Sequence, residues 1–167
     1  MSFQWIALLN NDTVVDSQWL TELVLAGQRE QASVISSKLI YYYDRRKLDN
    51  VGHQMLTTGE IVPIGYAARK EKYVKPQENF GSCAGATLYS VDMINQIGFF
   101  DPYFSTGYED AEFGARAVVT GFKCVLAPKA LVYHKVSRSV NKIVDEKYEL
   151  MIRNSIWYTF FKLMPTG

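Results

Sequence analysis

The chain has 167 residues, 48% of them hydrophobic and 14% aromatic, which suffices for one folded domain with a substantial core. Its 18 lysines and arginines nearly balance 17 aspartates and glutamates, so the formal charge is only +1. This balance excludes the strong positive field with which many proteins attract nucleic acid or an anionic membrane. We therefore expect no nucleic-acid partner.

The two cysteines, Cys83 and Cys124, lie in apolar surroundings and lack metal-type or redox-type spacing. We expect buried free thiols in a reducing compartment rather than a disulfide. The sequence shows no signal peptide and no apolar run of the ~18 residues that a membrane span needs. The expected location is cytoplasmic, with peripheral association at the inner face of a membrane left open.

The first predicted element is a short apolar strand, Trp5–Leu9, which is followed by Asn10, Asn11 and Asp12. An apolar run without polar alternation is typical of a strand that is buried on both faces in a parallel sheet. Ligands of α/β proteins collect at the carboxyl ends of such strands, where a carboxylate can bind a hard cation that neutralises phosphate. The alternative is a simple polar turn before a helix.

A helix is predicted over residues 17–30, with Asp16 placed to cap it. Its apolar positions follow helical spacing and predict one buried face, formed by Leu20, Leu23, Val24 and Gly27. Two strands are predicted next, over residues 32–36 and 38–43, separated by little.

A β-hairpin is predicted over residues 51–64, around the turn sequence Thr57-Thr58-Gly59. His53 lies in this hairpin and is expected to be a satisfied structural histidine, with a ligand role as the alternative. The polar residues 65–79 predict a mobile surface loop, or alternatively a loop that covers a substrate.

A second buried strand is predicted over residues 83–89, with Gly85 inside it. Glycine inside a strand often marks the close approach of another backbone or of a ligand. Ser90 is placed to cap a short helix over residues 91–97, which ends at Gly98.

The next helix is predicted over residues 109–120 and begins with the carboxylates Glu109 and Asp110. The helix macrodipole stabilises negative charge at this end, which would keep both groups ionised. A general base must be ionised and reach a hydroxyl, whereas a metal-bound diphosphate needs a separate carboxylate, and Asp12 can supply that one. The alternative is that the two carboxylates only stabilise the helix, in which Glu112 and Arg116 can pair.

Strands are predicted over residues 122–126 and 130–134, broken by Pro128, and a basic loop follows over 135–141. The last helix is predicted over residues 146–162. Its apolar face is wider than a lone surface helix needs, so it should pack on this core, on another copy or on a membrane surface.

His134 ends the second of these strands and is followed by Lys135 and Arg138. Neutral imidazole can join a carboxylate on a divalent metal, and the two cations can meet phosphate. A purely structural histidine is the alternative.

Four motifs, in this order along the chain, resemble those of family-two inverting glycosyltransferases. The first is Asn10-Asn11-Asp12 within LLNNDTVV, which looks like a variant DXD motif. The others are GFFDPYF with GYEDAEFGAR at 98–116, APKALVYH at 127–134, and Arg153-Asn154, which is similar to rhamnosyltransferase-like members. The similarity runs from about Trp5 to Asn154, and the order and spacing of the motifs are specific together.

The resemblance implies an α/β protein with a truncated A-type glycosyltransferase (Rossmann-like) fold, a mixed sheet and a C-terminal helix, in a single domain over residues 1–167. The family's N-terminal strands, which hold the nucleotide base and ribose, are absent before Trp5–Leu9. The chain therefore looks like the C-terminal catalytic part of such an enzyme. We expect this part to be inactive when isolated, and to self-associate through its unpaired strand.

The resemblance also implies a nucleotide-diphosphate sugar donor, a glycan or lipid-linked acceptor, Mg²⁺ or Mn²⁺ as cofactor, and inversion at the anomeric carbon. Rhamnose from a dTDP donor is the first expectation for the sugar. The rival is a non-catalytic domain that binds carbohydrate or a partner chain through exposed aromatic residues.

By position in the motifs, the resemblance implies that Asp12 is a metal ligand and that His134 lies near the metal or the diphosphate. It further implies that Asp110 is the general base and that Glu109 assists it. The residues expected to bind the donor are Asn10, Asn11, Asp12, Ser82, Gly85 and Ala86.

Overall fold

The computed structural model describes residues 3–104, 107–136 and 146–163, with the backbone alone described for residues 146–149. Most of the predicted basic loop, including Arg138, lies outside the described residues. The strands are β1 (Trp5–Leu9), β2 (Thr13–Val15), β3 (Val34–Tyr41), β4 (Leu48–Asn50), β5 (His53–Met55), β6 (Ile61–Pro63), β7 (Ala86–Ser90) and β8 (Cys124–His134). The α-helices are α1 (Trp19–Glu30), α2 (Val91–Ile97), α3 (Glu109–Val119) and α4 (Glu146–Leu163).

The central sheet has the strand order β1-β7-β3-β8-β2, with β4 paired to β3 beside this path. Strands β1 and β3 both run antiparallel to β7, and β3 runs parallel to β8. The carboxyl ends of β1, β3 and β8 therefore meet at one end of the sheet, together with the amino end of β7. This mixed sheet with flanking helices confirms the predicted α/β fold class.

The core lies on both faces of the sheet because neighbouring residues of a strand point to opposite sides. On one face, Ile35 of β3 packs with Trp19 and Leu23 of α1. On the other face, Val34 packs with Met93 of α2 and Phe113 of α3. The helices thus cover the sheet from both sides.

Strand β1 departs from its prediction as a strand buried on both faces in a parallel sheet. It pairs antiparallel with β7 and lies at one edge of the described sheet. Ile6 is 38% exposed and Leu9 is 47% exposed, because the other side of the strand has no neighbour among the described residues. The composition of an apolar run cannot distinguish a central strand from an edge strand that lacks a partner.

Helix α1 confirms the prediction of a helix here, with two corrections. It begins at Trp19, and the Asp16 carboxylate does not cap it but accepts a hydrogen bond from the Gln18 backbone N–H at 3.0 Å. The buried face is formed by Trp19, Leu23 and Gly27, whereas Leu20 is 49% exposed. Trp19 anchors this face by donating a hydrogen bond from Nε1 to Ser37 Oγ at 2.7 Å.

Strands β3 and β8 each run continuously through a place where a break was predicted. Their parallel pairing passes from Ser36–Leu126 directly to Lys38–Leu131, so β8 carries an irregular stretch that includes Pro128. Proline cannot donate a ladder hydrogen bond and is tolerated where pairing is interrupted. The predicted break is therefore an interruption of pairing rather than the end of a strand.

The predicted hairpin is confirmed, since β5 and β6 pair antiparallel. Residues 65–79 are tied to the sheet rather than extending freely as the predicted surface loop. Tyr73 packs against the buried Leu48, and its carbonyl accepts a hydrogen bond from Lys38 Nζ at 2.7 Å. Ala68 accepts another from the Leu48 N–H at 2.8 Å.

The predicted start and end of α2 are confirmed. Ser90 Oγ accepts a hydrogen bond from the Met93 N–H, and Gly98 ends the helix with φ of 77°. The predicted helix at Glu109 is also present as α3.

Helix α4 is confirmed and packs one side on the domain, where Leu163 contacts the cluster of Ile61 and Ala115. Its other side leaves large apolar residues exposed, namely Leu150, Trp157, Phe160 and Phe161. No helix of the described residues is long and apolar enough to cross a membrane.

Candidate active site

The first acidic cluster is formed by side chains from the turn between β1 and β2, from β4 and from the end of β8. Strand β2 pairs with β8 so that Thr13 faces His134, which brings the preceding Asp12 beside the imidazole. Asp12 Oδ1 lies 3.3 Å from His134 Nε2, and the Asp12 carbonyl accepts a hydrogen bond from the Lys135 N–H at 2.9 Å. The structure therefore brings together the two residues expected at a metal.

Asp49 is the third member of this cluster, and the sequence analysis missed it. Its Oδ2 lies 2.7 Å from His134 Nδ1, although the two residues are 85 positions apart. This hydrogen bond, with the charges of Asp49 and Asp12, raises the pKa of His134 against the opposing effect of burial. We call Asp12, Asp49 and His134 the histidine cluster.

The histidine cluster suits a divalent cation in part. No group of three or more His, Cys, Asp or Glu side chains in the described ranges is arranged to hold a metal ion. Asp12 and His134 nevertheless offer a carboxylate oxygen and an imidazole nitrogen, which Mn²⁺ accepts. Two adjacent ligands at about 2.1 Å from one cation lie about 3 Å apart in octahedral geometry, close to the 3.3 Å seen here. Water and diphosphate oxygens would have to supply the remaining ligands.

The Asn10–Asp12 turn lies against the loop before β7. The Asn10 N–H donates to the Gly85 carbonyl at 2.9 Å, and a Cβ on Gly85 would lie 3.3 Å from Asn10 Nδ2. The expectation that Gly85 marks a close approach is thus confirmed, although β7 itself begins at Ala86. Asn11 is exposed in the turn.

The other two residues expected to bind the sugar donor, Ser82 and Ala86, are not on the surface. Ser82 and Ala86 are buried, and Ser82 Oγ donates a 3.4 Å hydrogen bond to the Cys83 carbonyl. In this structure Ser82 and Ala86 are the buried residues that flank the loop over residues 83–85.

Asp110 is held against the same loop at the start of α3. Its Oδ2 accepts a hydrogen bond from the Ala84 N–H at 3.0 Å. The loop can come this close because Gly81 meets Gly114 of α3, where an added Cβ would lie 2.7 Å from the Gly114 Cα. Tyr108 precedes the helix with φ of 73°, and its hydroxyl accepts a hydrogen bond from the Ile61 N–H at 3.0 Å.

Glu109 differs from Asp110 in its surroundings. Its Oε2 is buried and has no hydrogen-bond partner among the described residues. Burial raises the pKa of Glu109, and the charge of Asp110 raises it further. At Glu109, desolvation therefore opposes the stabilisation of negative charge that the macrodipole is expected to provide. We call Glu109 and Asp110 the helix cluster.

His53 is buried beside this region. The prediction that all its hydrogen-bonding groups are satisfied is wrong for one ring nitrogen. Its backbone bonds to the loop, with the His53 N–H donating to the Gly81 carbonyl at 2.9 Å. Its Nδ1, however, has no hydrogen-bond partner in the described part of the chain. Burial lowers the pKa of His53, while the charge of Asp110 acts in the opposite direction.

Cys83 lies within electrostatic reach of both clusters. Burial raises the pKa of its thiol to about 12, and the charges of Asp110, Asp49 and Glu109 act in the same direction. Both Cys83 and Cys124 are free thiols, as predicted, although Cys83 is only partly buried. The loop over residues 83–85 thus contacts the turn that contains Asp12 through Gly85 and the helix cluster through Ala84.

A mixed sheet with helices on both faces makes this an α/β domain, and ligands of such domains bind at the carboxyl ends of the strands. A family model described as "Glycosyl transferase family group 2" matches residues 5–163. The chain therefore belongs to this glycosyltransferase family, which confirms the family-level resemblance.

A similar protein is the O-antigen biosynthesis protein RfbC of Myxococcus xanthus, with 27% identity over 159 residues, covering 89% of this chain. The chain spans only 12% of the length of RfbC. Among solved structures, GalNAc-T7 with UDP, GalNAc and Mn²⁺ superposes with a TM-score of 0.61 at 13% identity, over 78% of this chain and 27% of that one. This likeness confirms the A-type glycosyltransferase architecture of the fold.

Proposed function

We propose that the protein to which this chain belongs transfers a sugar, with inversion, from a nucleotide-diphosphate donor to a hydroxyl of a glycan or lipid-linked acceptor. The observation that carries this proposal is that the loop over residues 83–85 contacts both acidic regions: Gly85 bonds to the Asn10–Asp12 turn and Ala84 bonds to Asp110. One cluster offers a carboxylate with an imidazole, and the other offers a carboxylate at a helix start. A metal-assisted transfer with a general base requires these two kinds of group in one cleft.

In this mechanism the histidine cluster faces the diphosphate and the helix cluster faces the acceptor. Asp12 and His134 would hold Mg²⁺ or Mn²⁺, which when bound supplies neutralisation of the negative charge on the departing diphosphate. Asp110 takes the proton of the acceptor hydroxyl while its oxygen bonds to the anomeric carbon. The bond between that carbon and the diphosphate oxygen breaks on the opposite face, so the configuration inverts.

The contacts of Asp110 suit this role. Its hydrogen bond to the Ala84 N–H engages Oδ2 and fixes the carboxylate, so Oδ1 is the oxygen that would receive the proton. Glu109 has a raised pKa because it is partly buried. We assign Glu109 to an assisting role beside Asp110, as a neighbour that influences the local charge.

The names of two similar proteins support the proposed substrates. The GalNAc-T7 structure contains UDP and Mn²⁺, and RfbC is named for O-antigen biosynthesis. These names favour a nucleotide-sugar donor, a divalent cation and a polysaccharide acceptor. Rhamnose from a dTDP donor stays our first expectation for the sugar. Its basis is Arg153-Asn154, and both of these residues are exposed on α4.

We further propose that residues 1–167 form the C-terminal part of a catalytic domain, in a cytoplasmic protein that can associate with the inner face of a membrane. The exposed edge of β1 supports the first point, because a further parallel strand could pair there and complete the sheet. The exposed apolar face of α4 supports the second.

Replacing the proposed base tests the mechanism. In the full-length protein, Asp110→Asn should lower turnover by roughly 10²–10⁴, with donor affinity nearly unchanged, since a base acts on the acceptor proton. Asp92→Asn is the matched control, because Asp92 is an exposed carboxylate in the first turn of another helix, α2. Near-normal turnover of purified Asp110→Asn would refute the assignment.

Replacing the proposed metal ligand tests donor binding. Asp12→Ala should remove the metal dependence of donor binding, because the amides of Asn10 and Asn11 carry no charge. Calorimetry with Mn²⁺ and nucleotide sugars, with and without chelator, measures this dependence. An unchanged metal dependence would contradict the assignment of Asp12.

The rival function, non-catalytic binding of carbohydrate, is favoured by one observation. Trp157 is 56% exposed and Phe161 is 65% exposed, and their rings stack on α4 with centroids 5.8 Å apart. Aromatic surfaces of this kind can carry binding energy. Glycan affinity that is lost in Trp157→Ala and needs no nucleotide sugar would favour this rival over transfer.

A further inference from the structure

Asp49 occupies an irregular position in the sheet. Strand β4 pairs with β3 so that Leu39 faces Asn50 while the next residue, Ile40, faces Leu48. Asp49 is therefore the extra residue of a β-bulge, with two residues of β3 opposite three of β4. Bulges redirect a side chain and are frequent beside active sites.

The bulge gives Asp49 a different environment from its neighbours. Leu48 and Asn50 are both buried, whereas the Asp49 side chain is 16% exposed and reaches the end of β8. There it meets the imidazole of His134, whose side chain is 14% exposed. The contact joins two strands that do not pair with each other in the sheet, since β4 and β8 are both neighbours of β3.

The imidazole of His134 has a carboxylate at each ring nitrogen, but the two contacts differ. Nδ1 lies 2.7 Å from Asp49 Oδ2, a short hydrogen bond, whereas Nε2 lies 3.3 Å from Asp12 Oδ1. A carboxylate can only accept, so the proton of the closer contact resides on Nδ1. A histidine that binds a metal commonly donates its other N–H to a carboxylate, which fixes the tautomer and the orientation of the ring.

We propose that Asp49 is a positioning residue, which holds the proton of His134 on Nδ1 and so presents Nε2, beside Asp12, to the divalent cation. This inference rests on the proposed function, because the cation is the one expected at the donor diphosphate. Asp49 lies outside all four motifs that resemble the glycosyltransferase family. Its role is separate from that of Asp12, since Asp49 acts through the ring and not on the cation.

The tautomer of His134 can be read directly in the metal-free protein. The chain has only 2 histidines, so long-range ¹H–¹⁵N spectra of the imidazoles contain two sets of signals, and His53→Gln assigns them. At a pH where the imidazole is neutral, we expect His134 to carry its proton on Nδ1. In Asp49→Ala the acceptor is lost and the proton should move substantially to Nε2. Asp49→Asn keeps an acceptor oxygen and should retain the original tautomer more fully.

Binding of Mn²⁺ alone supplies the second readout, followed by the electron spin resonance of free Mn²⁺ and by broadening of the His134 signals. Asp49→Ala should weaken Mn²⁺ binding by about 10- to 100-fold, with Asp49→Asn in between. Asp44→Ala is the matched control, because it removes one carboxylate from the turn before β4. In the wild type, the Asp44 carboxylate pairs with Arg46 rather than with His134. The control should bind Mn²⁺ within about twofold of the wild type, since a charge in the solvated turn is screened.

The outcomes separate this inference from the proposed function. A proton on Nε2 in the wild type would overturn the role of Asp49, and this reading needs no variant to fold. Equal tautomer populations and equal Mn²⁺ affinity in the wild type and Asp49→Ala would also overturn it. Mn²⁺ binding at His134 that depends on Asp49, in a protein without affinity for nucleotide sugars, would support the role of Asp49 and refute the proposed transfer.

Discussion

Lys162, near the end of α4, forms an ion pair with Glu112 of α3, with 2.8 Å between Nζ and Oε1. Glu112 is completely buried and also pairs with Arg116, as its spacing predicted, at 2.8 Å. Lys162 forms a second ion pair, in which its Nζ lies 2.6 Å from Asp101 Oδ2. These contacts connect α4 with α3 and with the segment over residues 98–104, which contains Asp101 and precedes the helix cluster in the chain.

The two cations of this network should contribute unequally to stability. Arg116→Met leaves the buried Glu112 charge with one partner and removes donors from the Ile97 and Phe99 carbonyls, so we expect the free energy of unfolding to fall by about 3–5 kcal/mol. Lys162 is more exposed, and Lys162→Met should cost only about 1.5 kcal/mol. Urea denaturation measures both, with the exposed Lys129→Met as control. Equal losses would contradict the expectation that the more buried cation, Arg116, contributes more to stability.

Asp101 gives stability a defined dependence on pH. The hydrogen bond from Lys162, with others from the Tyr103 N–H and Tyr158, lowers the pKa of Asp101 from 3.8 to about 2. A carboxyl group with a lowered pKa stabilises the fold above its unfolded pKa, and this contribution is lost as the pH falls through the folded value. The unfolding free energies of the wild type and Asp101→Asn should therefore differ at neutral pH and converge between about 3.8 and about 2. A constant difference down to the lower value would contradict this linkage.

The contact between Gly81 and Gly114 should be needed both for the stability of the fold and for the position of the loop that bonds to Asp110. In Gly81→Ala the new methyl group would lie 2.7 Å from the Gly114 Cα at a φ of +134°, so the loop must move away from α3. Gly121→Ala is the matched control, because its φ is +91° but its added Cβ would have no non-neighbouring atom of the described residues within 4 Å. The control isolates backbone strain of about 1–3 kcal/mol, and Gly81→Ala should lose more than this by thermal unfolding.

Activity distinguishes the two glycine variants further. Movement of the loop would break the hydrogen bond between Ala84 and Asp110, so Gly81→Ala should also lower turnover of the full-length protein, whereas Gly121→Ala should not. Equal stability and equal turnover of the two variants would mean that the close approach at Gly81 is relaxed without consequence.

The outer edge of β1, with which no other described strand pairs, predicts self-association of the 167-residue chain. An unpaired apolar edge is a template for pairing with another chain, and charged residues on an edge oppose it. Ile6→Lys should therefore shift the chain toward monomer. Val14→Lys, on β2 at the other edge of the sheet, should not, because β2 has only 3 residues and very short edge strands pair poorly with other chains. Size exclusion with light scattering measures the mass. A wild-type chain that is monomeric and transfers sugar on its own would refute both this prediction and the expected inactivity.

Local patterns in the sequence determined much of the fold. Ser90 and Gly98 predict the two ends of α2, since a side-chain cap and a left-handed glycine act within a few residues. The turn at residues 57–59 predicts the hairpin, and the carboxylates at Glu109 predict the start of α3. The motif resemblance predicted the family and the pairing of Asp12 with His134 in one site.

Only the tertiary structure decided what depends on partners far apart along the chain. The apolar sequence of β1 predicts a strand buried on both faces, yet β1 lies at an edge of the described sheet. The burial of a strand depends on neighbouring strands, which its own residues do not specify. Asp49 meets His134 across 85 positions through a bulge in β4, and no periodicity singles it out. Glu112 resembles a surface residue with a helical partner, but α4 covers it and Lys162 joins the pair. Hydrophobic spacing and capping act locally, whereas these contacts arise only when distant elements pack together.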